Sequence, residues 1–261
     1  MAKSIINFKD RQLTVDTFGD FAPKKIKLAD IVIAYNDGIK WKVIPLYIMN
    51  QYPIIYDEYH ENRSDVRVVV SIYVCPYTLY SCMYFGKYEL YDITNNNLTI
   101  VNVENNIWIA PILNKVYSLS TNKVIDTYVR KNEVKILTLK NIIYMFPDSL
   151  FMDVKKIPKK TPIVDKDYLN VKNTKNIKNT DTKLIDDKQI IYVIEYKSKK
   201  QSEYKYTVII PKNSDYDVSK NGFEIYFHNT VDKIRIKGGI IHVCLWFAWQ
   251  KTGIQFKIIT L

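Results

Sequence analysis

Short runs of β-branched and aromatic residues recur about every ten residues along this chain, separated by polar or turn-forming residues. This spacing is typical of the strands of a β-rich domain. Helix signals are few: Pro45 opens one short segment, and residues 142–146 form another before Pro147. We therefore predict an α+β, β-rich fold with few short helices. The predicted strands and apolar segments are residues 30–35, 40–44, 54–56, 66–74, 84–91, 98–103, 108–112, 134–139, 189–196, 204–210, 223–227, 233–237 and 240–249.

Two turns are visible in the sequence. Asn36-Asp37-Gly38 separates the first two predicted strands, and because an Asp-Gly pair supplies the positive φ of a tight reversal, we predict a hairpin. Residues 68–86 contain no charged side chain, but Cys75-Pro76 and several hydroxyl groups interrupt them. We predict two consecutive buried strands there, and no membrane span.

The chain divides into a β-rich N-terminal half, residues 1–154, a polar connection, residues 155–188, and a β-rich C-terminal half, residues 189–261. The connection is rich in Lys, Asn, Asp and Thr, as expected of a segment that lies on the surface. Each half contains a strand, a polar turn and a second strand leading to proline, and each ends in a short aromatic run. Two related halves packed as one unit would explain this outline, and coincidental hairpins are the alternative.

Positive charge is the main bias of the composition. The chain has 38 Lys and Arg residues against 27 Asp and Glu residues, a net charge of +11, and nearly all of the positive charge is lysine. An abundance of Lys, Asn, Ile and Tyr is what an AT-rich coding sequence produces. Proteins that read nucleic acid favour arginine for bidentate contacts. We therefore expect no more than weak, non-specific electrostatic binding to nucleic acid.

Three cysteines are too few for the disulfide framework of a secreted protein, and residues 1–10 lack the apolar core of a secretory signal. We expect an intracellular protein in a reducing compartment. Cys75, beside Pro76 where a strand breaks, is the candidate nucleophile, because a neighbouring base would lower the pKa of its thiol. The alternative is a buried structural thiol.

The sequence contains no cofactor motif. Its histidines are scattered singly, without Cys-x-x-Cys or His-x-x-x-His spacing, and it has no glycine-rich phosphate-binding loop. We expect no metal and no cofactor. Trp246 and Trp249 would share one side of a short helix. They are either core residues or a stacking platform for a ligand.

Several short segments occur in the order of the landmarks of a known family. They are Asp30-Ile31-Val32-Ile33, Lys42-Val43-Ile44-Pro45-Leu46, Tyr56-Asp57-Glu58, Val68-Val69-Val70-Ser71-Ile72-Tyr73-Val74-Cys75-Pro76, Phe146-Pro147-Asp148-Ser149-Leu150, Leu184-Ile185-Asp186-Asp187-Lys188-Gln189-Ile190-Ile191 and Trp246-Phe247-Ala248-Trp249. Together they resemble the bacterial and archaeal family known as domain of unknown function 3179. The resemblance extends over roughly residues 30–255 and implies the fold of that family.

The chain departs from that family at polar positions. Thr78 stands where the family has a second cysteine, and only Ser118-Leu119 remains of an Asp-x-x-Thr-x-Ser-Leu-Trp pattern. Paired-thiol chemistry, and any activity that depends on that acid and that indole, is therefore not expected. The family has no established reaction, so the resemblance implies a fold but no particular function.

These features favour a non-enzymatic structural or interaction protein. Its 21 tyrosines suit interface packing, and we expect protein partners in a large assembly, such as the particle of a large DNA virus. The alternative is a thiol- or carboxylate-dependent enzyme or small-molecule binder that retains the pocket of the family around Cys75, Asp57 and Trp41. A weak, non-specific nucleic-acid binder is the second alternative.

Overall fold

The computed structural model describes residues 10–15, 17–20, 22–61, 65–94, 97–125, 129–164, 190–197, 204–210, 216–220, 223–227, 239–245, 249 and 256–260. Within these ranges the chain forms many short strands and two short α-helices, α1 (Leu46–Met49) and α2 (Leu139–Met145). The predicted β-rich fold with few short helices is confirmed. In the same ranges, neither helix has the length or apolarity to cross a bilayer.

The strands are numbered in chain order. Those of the N-terminal half are β1 (Gln12–Thr14), β2 (Phe18–Gly19), β3 (Ile31–Asn36), β4 (Trp41–Pro45), β5 (Ile54–His60), β6 (Arg67–Val74), β7 (Ser81–Phe85), β8 (Glu89–Thr94), β9 (Asn97–Asn102), β10 (Ile107–Ala110), β11 (Lys115–Ser118), β12 (Val124–Ile125), β13 (Lys131–Asn132), β14 (Lys135–Thr138) and β15 (Leu150–Met152). Those of the C-terminal half are β16 (Ile190–Lys197), β17 (Tyr204–Ile210), β18 (Tyr216–Lys220), β19 (Phe223–Phe227), β20 (Gly239–Leu245) and β21 (Lys257–Thr260).

These strands form four larger sheets and a separate β18–β19 hairpin. Sheet 1 has the order β14-β3-β4-β15-β2, and sheet 2 has the order β1-β5-β6-β7-β13. Sheet 3 has the order β12-β11-β10-β9-β8, and sheet 4 has the order β20-β16-β17-β21. Most neighbouring strands are antiparallel, as short connections require.

The predicted hairpin forms the centre of sheet 1. Gly38 has a φ of +96°, and its N–H donates to the side chain of Asn36 over 2.8 Å. The Asp37 carboxylate accepts hydrogen bonds from the backbone N–H groups of Ile39 and Lys40. The turn is therefore closed by its own side chains, which is the usual role of Asn and Asp in a reversal.

The uncharged segment 68–86 also forms the predicted pair of buried strands, β6 and β7. Between them, the Cys75 carbonyl accepts hydrogen bonds from the backbone N–H groups of Thr78 and Leu79, at 3.2 and 2.8 Å. Leu79 takes a positive φ of 59° in this turn. The chain reverses here, and β7 pairs with residues 70–74 of β6 in sheet 2.

Two predicted strands are shorter than the sequence pattern indicates. The run over residues 84–91 is divided between β7 and β8, because Gly86 has a φ of +113° and turns the chain. The run over residues 108–112 leaves the sheet at Pro111, which has no N–H to donate and begins a 3-10 turn, Pro111–Leu113. The predicted segment 233–237 lies outside the described residues.

Sheets 1 and 4 share one arrangement, which relates the two halves. Each is built on an antiparallel hairpin, β3–β4 or β16–β17. A later strand, β14 or β20, pairs antiparallel with the first strand of that hairpin, and the last strand, β15 or β21, pairs parallel with the second. The similarity therefore includes the strands that follow each hairpin, and not the hairpins alone.

The main core contains residues of both halves. Cys75 and Ile54 from the N-terminal half belong to the same buried cluster as Val193, Cys244 and Trp249 from the C-terminal half. The backbone N–H of Leu245 also donates to the Thr78 carbonyl over 2.8 Å. A second, smaller cluster lies on the other face of sheet 1 beneath α2, around Val32, Ala34, Val43, Leu139, Ile142 and Phe151.

The described start of the polar connection is attached to the N-terminal half. The Arg11 guanidinium donates to the Thr161 carbonyl, and the Asn50 side chain donates to the Val164 carbonyl over 2.8 Å. The Tyr52 hydroxyl donates to the Pro158 carbonyl over 2.7 Å. Residues 158–164 therefore lie along the surface next to α1.

Candidate functional site

Cys75 lies in the turn between β6 and β7 and is completely buried. Its sulfur accepts a hydrogen bond from the backbone N–H of Leu98 over 3.4 Å. Burial raises the pKa of this thiol, and the weaker opposing effects of Thr78 and nearby N–H groups do not reverse that shift. Since the thiolate is the nucleophile, this placement agrees with the structural interpretation of Cys75.

The other two cysteines have similar surroundings. Cys82 and Cys244 are completely buried, and all three thiols are free. Burial raises the pKa of Cys82 to about 12 and also raises the pKa of Cys244. Both behave as apolar core residues.

Asp57, on β5, lines a surface groove, and its carboxylate already has partners. Its Oδ2 atom accepts a hydrogen bond of 2.6 Å from the Tyr35 hydroxyl and lies 2.7 Å from the Lys42 ammonium. Lys42 also pairs with Asp37 over 3.1 Å. Burial, followed by the charge of Asp57, raises the pKa of Tyr35 well above its usual value. The hydroxyl therefore stays protonated and acts as the hydrogen-bond donor to Asp57.

The groove above Asp57 has a volume of about 580 Å³, within the range of small-molecule sites. Its walls carry both charges. Lys87 lies over the Tyr56 ring at 5.5 Å, and Arg67 pairs with Glu58 over 3.0 Å at the exposed rim. The lining residues are Thr14, Val15, Phe18, Lys42, Tyr56, Asp57, Glu58, His60, Arg67, Val69 and Lys87.

Trp41 lies away from this groove. Neighbouring residues of a strand point to opposite faces of the sheet, so Lys42 faces Asp57 and Trp41 faces the cluster beneath α2. There the Trp41 ring stacks on Phe146, with centroids 4.0 Å apart, and Lys135 lies over it at 5.8 Å. The structure therefore does not bring Cys75, Asp57 and Trp41 together, and of the three only Asp57 lines the groove.

Trp249 is 1% exposed and belongs to the main core. Its ring lies 5.5 Å from that of Tyr206 and 6.3 Å from that of Phe256. This agrees with the interpretation of Trp249 as a core residue. Trp246 lies outside the described residues.

A buried cluster of charges that sequence reasoning missed joins the two halves. The Glu195 carboxylate, on β16, lies 2.8 Å from the Lys131 ammonium and 2.9 Å from His242 Nε2. All three side chains are at most 3% exposed. Lys131 comes from the N-terminal sheet 2, whereas Glu195 and His242 come from adjacent strands of sheet 4.

The cluster has a definite charge state. Burial alone would raise the pKa of Glu195, but the hydrogen bond from His242 and the charge of Lys131 lower it to about 2. Burial lowers the pKa of His242, despite its hydrogen bond to Glu195. The imidazole is therefore neutral and donates from Nε2, since a carboxylate only accepts. The single anion, Glu195, is balanced by the single cation, Lys131.

Asn114 closes the cluster on its solvent side. Its side-chain oxygen accepts from Lys131 over 2.8 Å, and its amide donates to Glu195 over 3.4 Å and to the Tyr206 hydroxyl over 3.2 Å. Asn114 has a positive φ of 49°, which asparagine tolerates better than most residues. With Glu195 hydrogen-bonded by its neighbours and its charge balanced by Lys131, the cluster is suited to holding the two halves in register.

Sheet 3 presents an aromatic row on one face. Trp108 stacks on Tyr117, with centroids 3.8 Å apart, and Tyr91 lies 5.8 Å from Trp108 on the other side. Val124 pairs with Tyr117 and so shares this face. The opposite face is buried in the main core through Leu90, Leu98, Ile100, Ile109 and Val116. We call the outer surface, formed by Tyr91, Trp108, Tyr117 and Val124, the aromatic face.

Among the described residues, no group of His, Cys, Asp and Glu side chains is arranged to hold a metal ion. Comparison with known proteins gives no match to a family model, to a curated protein or to a solved structure. The family resemblance drawn from the sequence therefore stays a prediction.

Proposed function

We propose that this chain is a non-enzymatic interaction protein that binds a protein partner in a larger assembly through the aromatic face of sheet 3. The observation that supports this is a row of large apolar side chains on a sheet whose other face is already buried. Tyr91 is 46% exposed and Val124 is 58% exposed, and Trp108 and Tyr117 lie between them.

The chemistry of this face suits a protein interface. Tyrosine and tryptophan are enriched in interface cores, because they contribute a large contact area and lose few rotamers. The stacking of Trp108 on Tyr117 holds both rings in place before binding, which lowers the entropy cost of association. The exposed Val124 extends the apolar area beyond the rings.

The placement of the candidate catalytic groups supports a surface role over catalysis. Cys75 is buried with a raised thiol pKa, and Asp57 is held by Lys42 and Tyr35. A reactive thiol needs access and a stabilised thiolate, and Cys75 has neither.

Affinity purification from the native source, with quantitative mass spectrometry, tests this proposal. The variant Tyr91→Lys/Val124→Lys introduces charge at two exposed positions of the aromatic face, so the fold should tolerate it. A matched control, Ile39→Lys/Val66→Lys, changes two other exposed apolar residues outside sheet 3. We expect the wild type and the control to recover the same partner, and the face variant to recover at least about tenfold less of it.

Recovery of the same partners by all three proteins in equal amounts would contradict the proposal. A partner lost equally from both variants would also contradict it, since a general effect of added lysines would then explain the loss. Mass spectrometry of purified virus particles tests the narrower proposal that the assembly is the particle of a large DNA virus.

The Asp57 groove supports a second candidate function, binding of a small molecule. Within the described residues, Asp57 Oδ2 has two donors, whereas Oδ1 accepts no hydrogen bond. A ligand with an amine or guanidine group would supply that donor, and the groove has room for it.

A thermal-shift screen with small amines and guanidines tests the second candidate. Asp148→Asn is the matched control for Asp57→Asn, because Asp148 is exposed and does not line the groove. A ligand that stabilises the wild type and Asp148→Asn but not Asp57→Asn would support the site. Equal stabilisation of all three proteins, or of none, would exclude it.

A further inference from the structure

A lysine-rich segment, residues 22–30, lies beside α2 on the outside of sheet 1. The backbone N–H of Leu139 donates to the Asp30 carbonyl, and that of Lys140 donates to the Leu28 carbonyl, both over 2.9 Å. Ile26 and α2 pack on the same apolar cluster. The segment and the helix therefore form one continuous surface.

Three large apolar residues on this surface are exposed. Leu28 is 58% exposed, Ile143 is 41% exposed and Tyr144 is 64% exposed. Ile143 and Tyr144 lie three and four positions after Lys140, so they adjoin it on the surface of α2, whereas Leu139 and Ile142 are buried.

Lysines surround these apolar residues. Lys24, Lys25, Lys27 and Lys140 are all exposed, and among the described residues none of their ammonium groups forms an ion pair. Two exposed aspartates, Asp30 and Asp148, lie in the same region, so cations outnumber anions there. We call this surface, residues 22–30 together with Lys140, Ile143 and Tyr144, the basic apolar patch.

We propose that the basic apolar patch binds the surface of a membrane that contains anionic lipids. Lysines near such a surface are attracted to its negative potential, and exposed aliphatic and aromatic side chains enter the boundary between headgroups and acyl chains. Tyrosine is enriched at that depth, because its ring is apolar and its hydroxyl is polar. Stable peripheral binding needs two such signals, and the patch supplies both.

The same residues fit a nucleic acid less well. A phosphate backbone would attract the lysines, but it offers no apolar region to receive Leu28 and Ile143. The patch also contains no arginine, the residue that makes bidentate phosphate contacts. The exposed aliphatic side chains therefore favour a lipid surface over a polyanion in water.

This binding goes beyond the proposed protein partner and involves a different surface, since the aromatic face belongs to sheet 3 and the patch covers sheet 1. A membrane-bound copy would keep the aromatic face available for a second protein. Each of the two proposals can fail without the other.

Vesicle co-sedimentation of the full chain tests the proposal. The probes are vesicles of phosphatidylcholine alone and vesicles that also contain about 30% phosphatidylserine, at physiological salt. We expect at least about tenfold tighter binding to the anionic vesicles, weakening as salt is raised. Leu28→Ser/Ile143→Ser should lose at least about tenfold in affinity while keeping all four lysines.

Two variants serve as controls. Ile39→Ser/Val66→Ser removes two other exposed apolar residues and should bind like the wild type. Lys24→Glu/Lys27→Glu should lose the preference for anionic vesicles. Circular dichroism and the unfolding midpoint of each variant show whether the fold is intact.

The proposal is overturned if anionic vesicles are not bound, or if vesicles of phosphatidylcholine alone are bound equally well. It is also overturned if Leu28→Ser/Ile143→Ser binds like the wild type, because the apolar side chains would then have no part in binding. Single-stranded DNA that binds more tightly than the vesicles, with an affinity unaffected by that variant, would assign the patch to a nucleic acid instead.

Discussion

The carboxylate of Glu195 lies 2.8 Å from the ammonium group of Lys131, although the two residues are 64 positions apart and come from different halves of the chain. Both side chains are nearly completely buried. Removing charges from water is costly, and this cost is offset by the mutual attraction of the pair and by hydrogen bonds with Asn114 and His242. The pair therefore fixes how sheet 4 lies against sheet 2.

Breaking this pair should destabilise the protein strongly. Glu195→Gln leaves the Lys131 ammonium buried without a counter-charge, and we expect the free energy of unfolding to fall by about 3–5 kcal/mol. Lys131→Met/Glu195→Gln removes both charges and should recover about half of that loss or more. Urea unfolding monitored by tryptophan fluorescence measures both changes.

The exposed pair of Arg67 and Glu58 is the matched control. Both side chains are more than half exposed, so Glu58→Gln should cost less than about 1 kcal/mol. A loss for Glu195→Gln as small as that for Glu58→Gln would show that the buried pair does not hold the halves together.

The same cluster should make the protein sensitive to acid. The folded pKa of His242 lies below its usual 6.5, so the unfolded chain takes up a proton first and stability begins to fall below about pH 6.5. The folded pKa of Glu195 is about 2, below its usual 4.5, so its contribution is complete above pH 4.5 and is lost between 4.5 and 2. That second loss amounts to about 3 kcal/mol.

Urea midpoints measured from about pH 8 down to about pH 4 follow the loss of stability that begins below about pH 6.5 because of His242. His242→Gln cannot bind the proton, so its stability should change less between pH 7 and pH 5 than that of the wild type. An identical pH profile for the two proteins would show that His242 does not cause the dependence.

Local sequence signals predicted the elements that depend on neighbouring residues. The β3–β4 hairpin follows from alternation and from the Asp37-Gly38 turn, and α1 and α2 follow from a proline start and a short apolar run. The sequence pattern does not predict the end of β7, because the apolar run continues through Gly86, whose positive φ ends the strand.

Long-range pairing could not be predicted in the same way. β13 and β11 are short and contain Lys, Asn and Ser, so no period-two pattern reveals them. Glu195, Lys131 and His242 are each unremarkable in the sequence, and only the pairing of distant strands makes them neighbours. Trp108 lies in a predicted apolar run, but Tyr117 lies in β11, so the aromatic face could not be predicted from the sequence either.

The three cysteines should be unreactive while the protein is folded. All are completely buried, and burial raises the pKa of each thiol. We expect Ellman's reagent to modify them in the folded protein at least about a hundredfold more slowly than in the protein unfolded in urea, because each thiol reacts only after the fold opens locally. All three should react once the chain is unfolded.

Val124→Cys provides the control, because position 124 is exposed and a thiol there should react at the rate of a free cysteine. Fast reaction of Cys75 in the folded wild type, with Cys82 and Cys244 protected, would contradict the buried placement. It would return Cys75 to consideration as a nucleophile.

The turn at Gly38 should tolerate no side chain. Gly38 has a φ of +96°, and a Cβ atom there would lie 2.0 Å from the His60 carbonyl oxygen, which belongs to the backbone of β5. We expect Gly38→Ala to lower the free energy of unfolding by more than about 2 kcal/mol. At Gly19 a Cβ would meet nothing within 4 Å, so Gly19→Ala should change stability by less than about 1 kcal/mol. Equal midpoints for the two variants in urea would contradict the close approach of the β3–β4 turn to β5.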